Sequence, residues 1–406
     1  MSPSGGSGPR PHDRDHAQPA MRLLLNCART STCRLAPLSS SDHLSASIAA
    51  VNDWEAFLLL TRDHHLVPLI YKCLSHQNVS GVPSEIIAEL RTLYLRIAAL
   101  NMRLTHQLAT IQQVMREAQI PCWSVKGPAL AVQAFGSPSL RQYGDLDLII
   151  PATHMLRAHA LLTEMEFQLI ELPQGTDLEV YARTLQEWSY VSRNNHTVLD
   201  IHPVVVSHIV TTPAMTLDLL NQTVEISIDE RLTIHAPDPG SMLLIVCMNG
   251  ACEMWKKLSD VVDVKALLTS HADADWGGLL EQATKWGQRR SLLIGVALAE
   301  SLLALELPPP FHTALAKDAK ARTLSSEAAT RLLSGTSTRE DVTRERLFGL
   351  RTRESIRDRA RYLLRQCCVP SAIELNMVHL PYWLRGGYYL MRPFRLLVTS
   401  IPKRRS

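Results

Sequence analysis

Two runs decide how the chain is read: Val125-Lys126-Gly127-Pro128-Ala129-Leu130-Ala131, and, after a short loop, Leu140-Arg141-Gln142-Tyr143-Gly144-Asp145-Leu146-Asp147-Leu148-Ile149. The apolar stretch from Cys122 to Val125 meets a Lys-Gly-Pro turn and then the helical pattern of Ala129 to Phe135, which predicts strand, turn and helix. Gly136-Ser137-Pro138-Ser139 has loop chemistry, and Leu146 to Ile150 is a short apolar strand. Side chains alternate between the faces of a strand, so Asp145 and Asp147 point the same way and share one site. Two adjacent carboxylates repel, so a strand that keeps them needs a compensating cation, and hard oxygen ligands suit Mg²⁺ or Mn²⁺.

Working outward, Glu187 to Arg193 and Thr197 to Pro203 read as strands joined by a hairpin turn at Asn194-Asn195-His196. Asp200, mid-strand in Val198-Leu199-Asp200-Ile201-His202, is the best-placed third carboxylate for a two-metal site. There it would hold a metal beside an attacking oxygen and take its proton. His202 is a candidate partner to a carboxylate, against the plainer reading of a packed strand histidine. Lys126 and Gly127 stand at a strand-to-helix turn whose backbone N–H groups can receive phosphate oxygens, with Lys126 adding a point charge or else a surface ion pair. Arg141, four residues before Asp145, would steady phosphates or position the loop. Trp188 and Tyr190 share one strand face and read as core rather than as a platform for a base.

The flanks are helical. Residues 1–20 are rich in Gly, Pro, Ser and charge and are expected to be a disordered tail. Residues 21–120 form an N-terminal helical region that ends in a helix of about 30 residues after Pro83. Residues 121–236 are the strand-containing core, 237–310 a C-terminal helical region, and 311–406 charged helices with a basic aromatic tail. Strands alternating with helices over about 115 residues suggest one α/β or α+β module, expected as an α+β fold with a small mixed sheet between the helical regions. The tail runs through Tyr382-Trp383-Leu384-Arg385, Tyr388-Tyr389, Arg392-Pro393-Phe394-Arg395 and Lys403-Arg404-Arg405. That mixture suits a membrane surface or a nucleic acid, and more plainly a partly buried helix with a basic end.

The composition excludes several classes. A net charge of +3, from 42 basic and 39 acidic side chains, is too balanced to predict nucleic-acid binding from the overall field. Eight scattered cysteines lack paired zinc spacing and fit a reducing cytoplasm. No apolar run is long enough for a transmembrane helix.

The Lys-Gly-Pro run and the Arg141 to Ile149 run together resemble the motif of the uncharacterised nucleotidyltransferase family, a distant branch of the polymerase-beta-like nucleotidyltransferase superfamily. Asp53-Trp54 with His65 to Tyr71 is similar to its N-terminal helical segment, Leu199-Asp200-Ile201-His202 to its third-acid strand, and Leu258 to Leu268 with Asp275 to Leu305 to its C-terminal helices. The resemblance implies a nucleotidyltransferase core in which Asp145, Asp147 and Asp200 bind Mg²⁺ or Mn²⁺. A nucleoside monophosphate would pass from an NTP such as ATP to a hydroxyl or phosphate acceptor, with release of pyrophosphate. The acceptor is left open among small molecules, saccharides, peptides and proteins, in a bacterial setting. Lys126 and Gly127 stand where the superfamily more often has Gly-Ser or Gly-Gly, and Asn249 where the family tends to have a histidine. The alternative is a nucleotidyltransferase fold that binds nucleotide or regulates without transfer.

Overall fold

In the computed structural model, the structure describes residues 11–31, 41–76, 80–170, 178–183, 186–194, 196–228, 230, 233–334, 341–369, 377, 380 and 382–400. The N-terminal helices are α1 (Pro11–Ser31), α2 (Ser41–Ala49), α3 (Trp54–Asp63), α4 (Val67–His76) and the long α5 (Ser84–Glu117). The Asp53 side chain accepts the Ala56 N–H at 2.8 Å and so starts α3. Pro83 precedes α5, whose apolar stripe buries Leu90, Leu104, Leu108, Ile111 and Met115. α1 begins at Pro11, upstream of Met21, and Ala20, Leu23, Leu24 and Cys27 bury one of its faces. Residues 1–10 lie outside the described residues.

The core comprises β1 (Trp123–Val125), α6 (Gly127–Phe135), β2 (Asp145–Ile149), α7 (Met155–Glu164), β3 (Phe167–Ile170), α8 (Leu178–Arg183), β4 (Trp188–Ser192), β5 (Val198–His202) and α9 (Pro213–Leu219), followed by the hairpin β6 (Thr223–Ser227) and β7 (Thr233–Pro237). The main sheet runs β1-β2-β5-β4-β3, with β2 parallel to β5 and the other neighbours antiparallel. The small second sheet is tied to α5 by Gln112, which donates to the His235 carbonyl at 2.9 Å and accepts its N–H at 2.8 Å. The fold is therefore α+β: a small mixed sheet flanked by helices. Trp188 and Tyr190 are buried on the face of β4 that meets the core, as their shared strand parity implies.

The C-terminal helices are α10 (Pro239–Cys252), α11 (Leu258–Ser270), α12 (Trp276–Lys285), α13 (Arg289–Leu303), α14 (Pro309–Ala316), α15 (Ala319–Ser334), α16 (Asp341–Thr352), α17 (Ile356–Cys368) and α18 (Tyr388–Ser400). Asp238 starts α10 by accepting the Gly240 and Ser241 N–H groups. Among the described residues no helix is long and apolar enough to cross a membrane.

The helical flanks lock onto each other by buried polar contacts. Lys265 on α11 donates from Nζ to the Arg29 carbonyl at 2.6 Å and the Leu303 carbonyl at 3.2 Å, tying α1 to the end of α13. His64, at the end of α3, accepts the Leu258 N–H on Nδ1 at 3.2 Å, which fixes the start of α11. Burial lowers the His64 pKa below the ordinary value, with the Asp63 charge opposing. A histidine depressed in the folded state contributes stability that is fully present above its unfolded pKa, near 6.5, and is lost as pH falls towards the folded value. In His64→Asn the amide oxygen can accept the same N–H without titrating. The melting-temperature advantage of the native chain over this variant is therefore expected to shrink between pH 7.5 and pH 5. A constant difference across that range contradicts the assignment.

Candidate functional site

Strand register assembles the site. In the parallel pair β2 and β5, Asp145 stands opposite Val198, Asp147 opposite Asp200, and Ile149 opposite His202. Residues paired across a sheet point to the same face, and alternation carries Asp145 and Asp147 to that face together. Asp145, Asp147, Asp200 and His202 are therefore neighbours, while Leu146, Leu148, Leu199 and Ile201 fill the opposite, fully buried face. That apolar face fixes the register, because a slip by one residue would turn the leucines to solvent and the carboxylates into the core. Ser189 on β4, opposite Asp200, joins the polar face.

The loop entering β2 is held from beneath by α5. Asn101, wholly buried, donates through Nδ2 to the Pro138 carbonyl at 2.8 Å and the Arg141 carbonyl at 2.7 Å. The Tyr143 and Thr105 hydroxyls meet at 3.2 Å. Arg141 then turns inward: its Nε donates to both carboxylate oxygens of Asp263 on α11, each at 3.0 Å. Asp263 is buried and Arg141 largely so. The ion pair fastens the loop before Asp145 to the C-terminal helices, and the terminal guanidinium nitrogens of Arg141 have no hydrogen-bond partner among the described residues. Asp263 escaped the sequence reading because nothing local marks a partner 122 residues away.

Lys126 and Gly127 form the turn between β1 and α6. Both have positive φ, 55° and 39°. For Lys126, with ψ at −139°, this is a conformation suited to glycine, and a side chain there costs roughly 1–3 kcal/mol. A Cβ at Gly127 would lie 3.9 Å from the Asp145 carbonyl oxygen, so the turn rests directly against the start of β2. No side chain caps α6, and Pro128 in its first turn has no N–H to satisfy. The Lys126 ammonium makes no hydrogen bond or ion pair among the described residues, yet its charge acts on Asp145, Asp147 and Asp263.

The carboxylates are electrically unlike. Burial acts to raise Asp147, but the Lys126 charge and the hydrogen bond with His202 hold it at about 2. Burial and the neighbouring Asp147 charge raise Asp145, against Lys126. Burial pushes Asp200 up to about 6; the Ser189 hydroxyl pulls it down, while Glu187 and Asp147 push it further up. His202 Nε2 lies 2.9 Å from Asp147 Oδ1, and its Nδ1 lies 3.4 Å from Glu187 Oε2. Burial acts to lower this imidazole, but the Asp147 bond and the two acidic neighbours leave its pKa above the ordinary value.

Carboxylate oxygens are the donors that a hard divalent cation takes. Asp200 Oδ1 is a buried acceptor with no hydrogen-bond partner among the described residues. Among the described residues, however, no three His, Cys, Asp or Glu side chains stand close enough to enclose a metal ion as they are. The three carboxylates share a face without closing on a common point, and one oxygen of Asp147 is engaged by His202.

The family model described as an uncharacterised nucleotidyltransferase matches residues 50–304, more than half of the chain. Among solved structures, the chain is similar to an antigenic nucleotidyltransferase-like protein from Paracoccidioides brasiliensis at 14% identity and a TM-score of 0.31, with 50% of this chain and 93% of that one covered. No curated protein matches the chain.

Nothing in the packing requires a lysine at the strained position 126. Lys126→Gly is expected to relieve the backbone and stabilise the fold by about 1 kcal/mol, after allowing for the extra freedom of glycine in the unfolded chain. Denaturant titration measures this, and a loss of stability would show that the lysine side chain holds the turn.

Proposed function

Because the chain belongs to the uncharacterised nucleotidyltransferase family, we propose that it transfers a nucleoside monophosphate from an NTP to a hydroxyl or phosphate acceptor and releases pyrophosphate, with Asp145, Asp147 and Asp200 holding the required divalent cations. The observation that carries the proposal is the register of Asp147 with Asp200 on the face that also presents Asp145. Bound Mg²⁺ or Mn²⁺ would neutralise phosphate charge and acidify the acceptor oxygen. The protein supplies positioning and electrostatics, which dominate phosphoryl transfer. The uncapped start of α6 and the unpaired Lys126 ammonium receive the triphosphate. The free terminal nitrogens of Arg141 offer a second cationic contact, while its bond to Asp263 keeps them in place. His202 orients Asp147 through Oδ1 and leaves Oδ2 for the cation. Asp200 receives the proton of the attacking hydroxyl.

The same turn motivates a second reading, a fold that retains nucleotide without transferring it, since Lys126 stands where the superfamily more often has glycine and the carboxylates are not drawn together. Calorimetry separates the two: NTP binding with no pyrophosphate release across varied acceptors identifies the binder. We place the protein in the cytoplasm, where NTP is available and where the described cysteines would stay reduced.

Incubation with α-labelled NTP, Mg²⁺ and cell extract as a source of acceptors provides the test. The double variant Asp145→Asn, Asp147→Asn is expected to lose at least ~100-fold of label transfer while its circular dichroism stays native. His202→Ala, which removes only an orienting group, is expected to lose ~10–100-fold. Undiminished transfer by the double variant refutes the proposal.

A further inference from the structure

The last two described helices present apolar side chains to solvent, while Arg365 on α17 and Arg392 on α18 bond inward. On α17, Ile356 is 81% and Leu364 64% exposed, with Leu363 exposed beside them, at spacings that fall on one helical face. The opposite face faces the protein. There Tyr362 is buried and Arg365 Nη1 donates to the Thr211 carbonyl at 3.2 Å. The pattern repeats on α18: Leu390 is 76% and Phe394 69% exposed one turn apart, with Tyr389 alongside, whereas Arg392 is only 7% exposed and donates through Nε to the Gln366 carbonyl of α17 at 3.1 Å. A helix that merely covered a globular core would have the reverse orientation.

Charge identifies what covers this surface. α17 and α18 together carry six arginines and one acidic residue, Asp358, while the whole chain carries only +3, so this helix pair is strongly basic for its size. Arg357 and Arg361 are exposed on α17, flanking its apolar face. A second copy of the chain would bring two such basic surfaces together against their mutual repulsion. A nucleic acid would match the charge but gain little from Ile356, Leu364 and Leu390, which have no ring to stack on a base. An outward apolar face rimmed by arginine is the pattern of helices that lie in the interface of an anionic bilayer.

We propose that the α17–α18 pair is a peripheral membrane-docking surface that inserts Ile356, Leu364, Leu390 and Phe394 among the lipids of an anionic leaflet while Arg357 and Arg361 engage the headgroups. The surface is independent of the carboxylate site. Flotation of the full chain with phosphatidylcholine vesicles, with and without a third of phosphatidylglycerol, tests it. Binding is expected to be at least ~10-fold stronger to the anionic vesicles and to weaken with salt. The triple variant Leu364→Ser, Leu390→Ser, Phe394→Ser is expected to lose binding at least ~10-fold with its melting temperature unchanged. Arg357→Glu, Arg361→Glu, which keeps every apolar group, is expected to lose it as well. The proposal is overturned if the native chain stays off anionic vesicles, if neither variant weakens binding, or if the triple variant instead dissociates a dimer.

Discussion

The parallel pairing of β2 with β5 is the constraint on which the rest of the structure depends. It sets Asp147 beside Asp200, and it does so because Leu146, Leu148, Leu199 and Ile201 cannot leave the buried side of the sheet. The hydrophobic effect therefore decides where the charges go: burying one set of alternating residues obliges the other set to share a face with like charges. Burial first, and neighbouring acidic charge after it, make Asp145 and Asp200 hold protons more tightly than an ordinary carboxylate, while Lys126 and His202 keep Asp147 from doing so. The polar face thus carries a deficit of positive charge, which the proposed cations would offset.

The helices around the sheet hold this face in place. Asn101 grips the loop that enters β2, and the Arg141–Asp263 pair ties that loop to α11. Since α11 is itself fastened to α1 and α3 through Lys265 and His64, the N- and C-terminal helical regions act on one short segment from opposite sides. A buried ion pair of this kind is weak evidence for stability, because desolvation offsets much of the attraction. Its effect here is geometric: Arg141 cannot move far from Asp145 without leaving Asp263 unpaired in the interior.

Much of this was legible in the sequence where one rule of local chemistry dominates. The Lys-Gly-Pro turn, the Asp-Leu-Asp strand and the hairpin at Asn194 have punctuation or strict alternation, and β1, β2, β4 and β5 lie where those signals place them. The strands that were missed lack such marks. β3 follows α7 with only Met165 and Glu166 between them, and Glu166 takes a positive φ of 62° in place of a glycine. β6 and β7 are separated by the charged stretch Ile228 to Leu232, without a compact Gly or Asn turn. The tail shows a different limit: periodicity reveals that α17 and α18 are amphipathic, but only the fold reveals that their apolar faces point outward. For Arg141 the sequence allowed phosphate or loop, and the fold adds a partner far along the chain that no local pattern announces.

The central claim is that one face of a small sheet gathers three carboxylates to hold divalent cations. Crystals grown with Mn²⁺ and a non-hydrolysable NTP analogue test it most directly, through anomalous scattering. The account predicts a manganese peak bounded by Asp145, Asp147 and Asp200, with the triphosphate against the Lys126 turn. Manganese bound elsewhere, or nucleotide seated away from that turn, would contradict it.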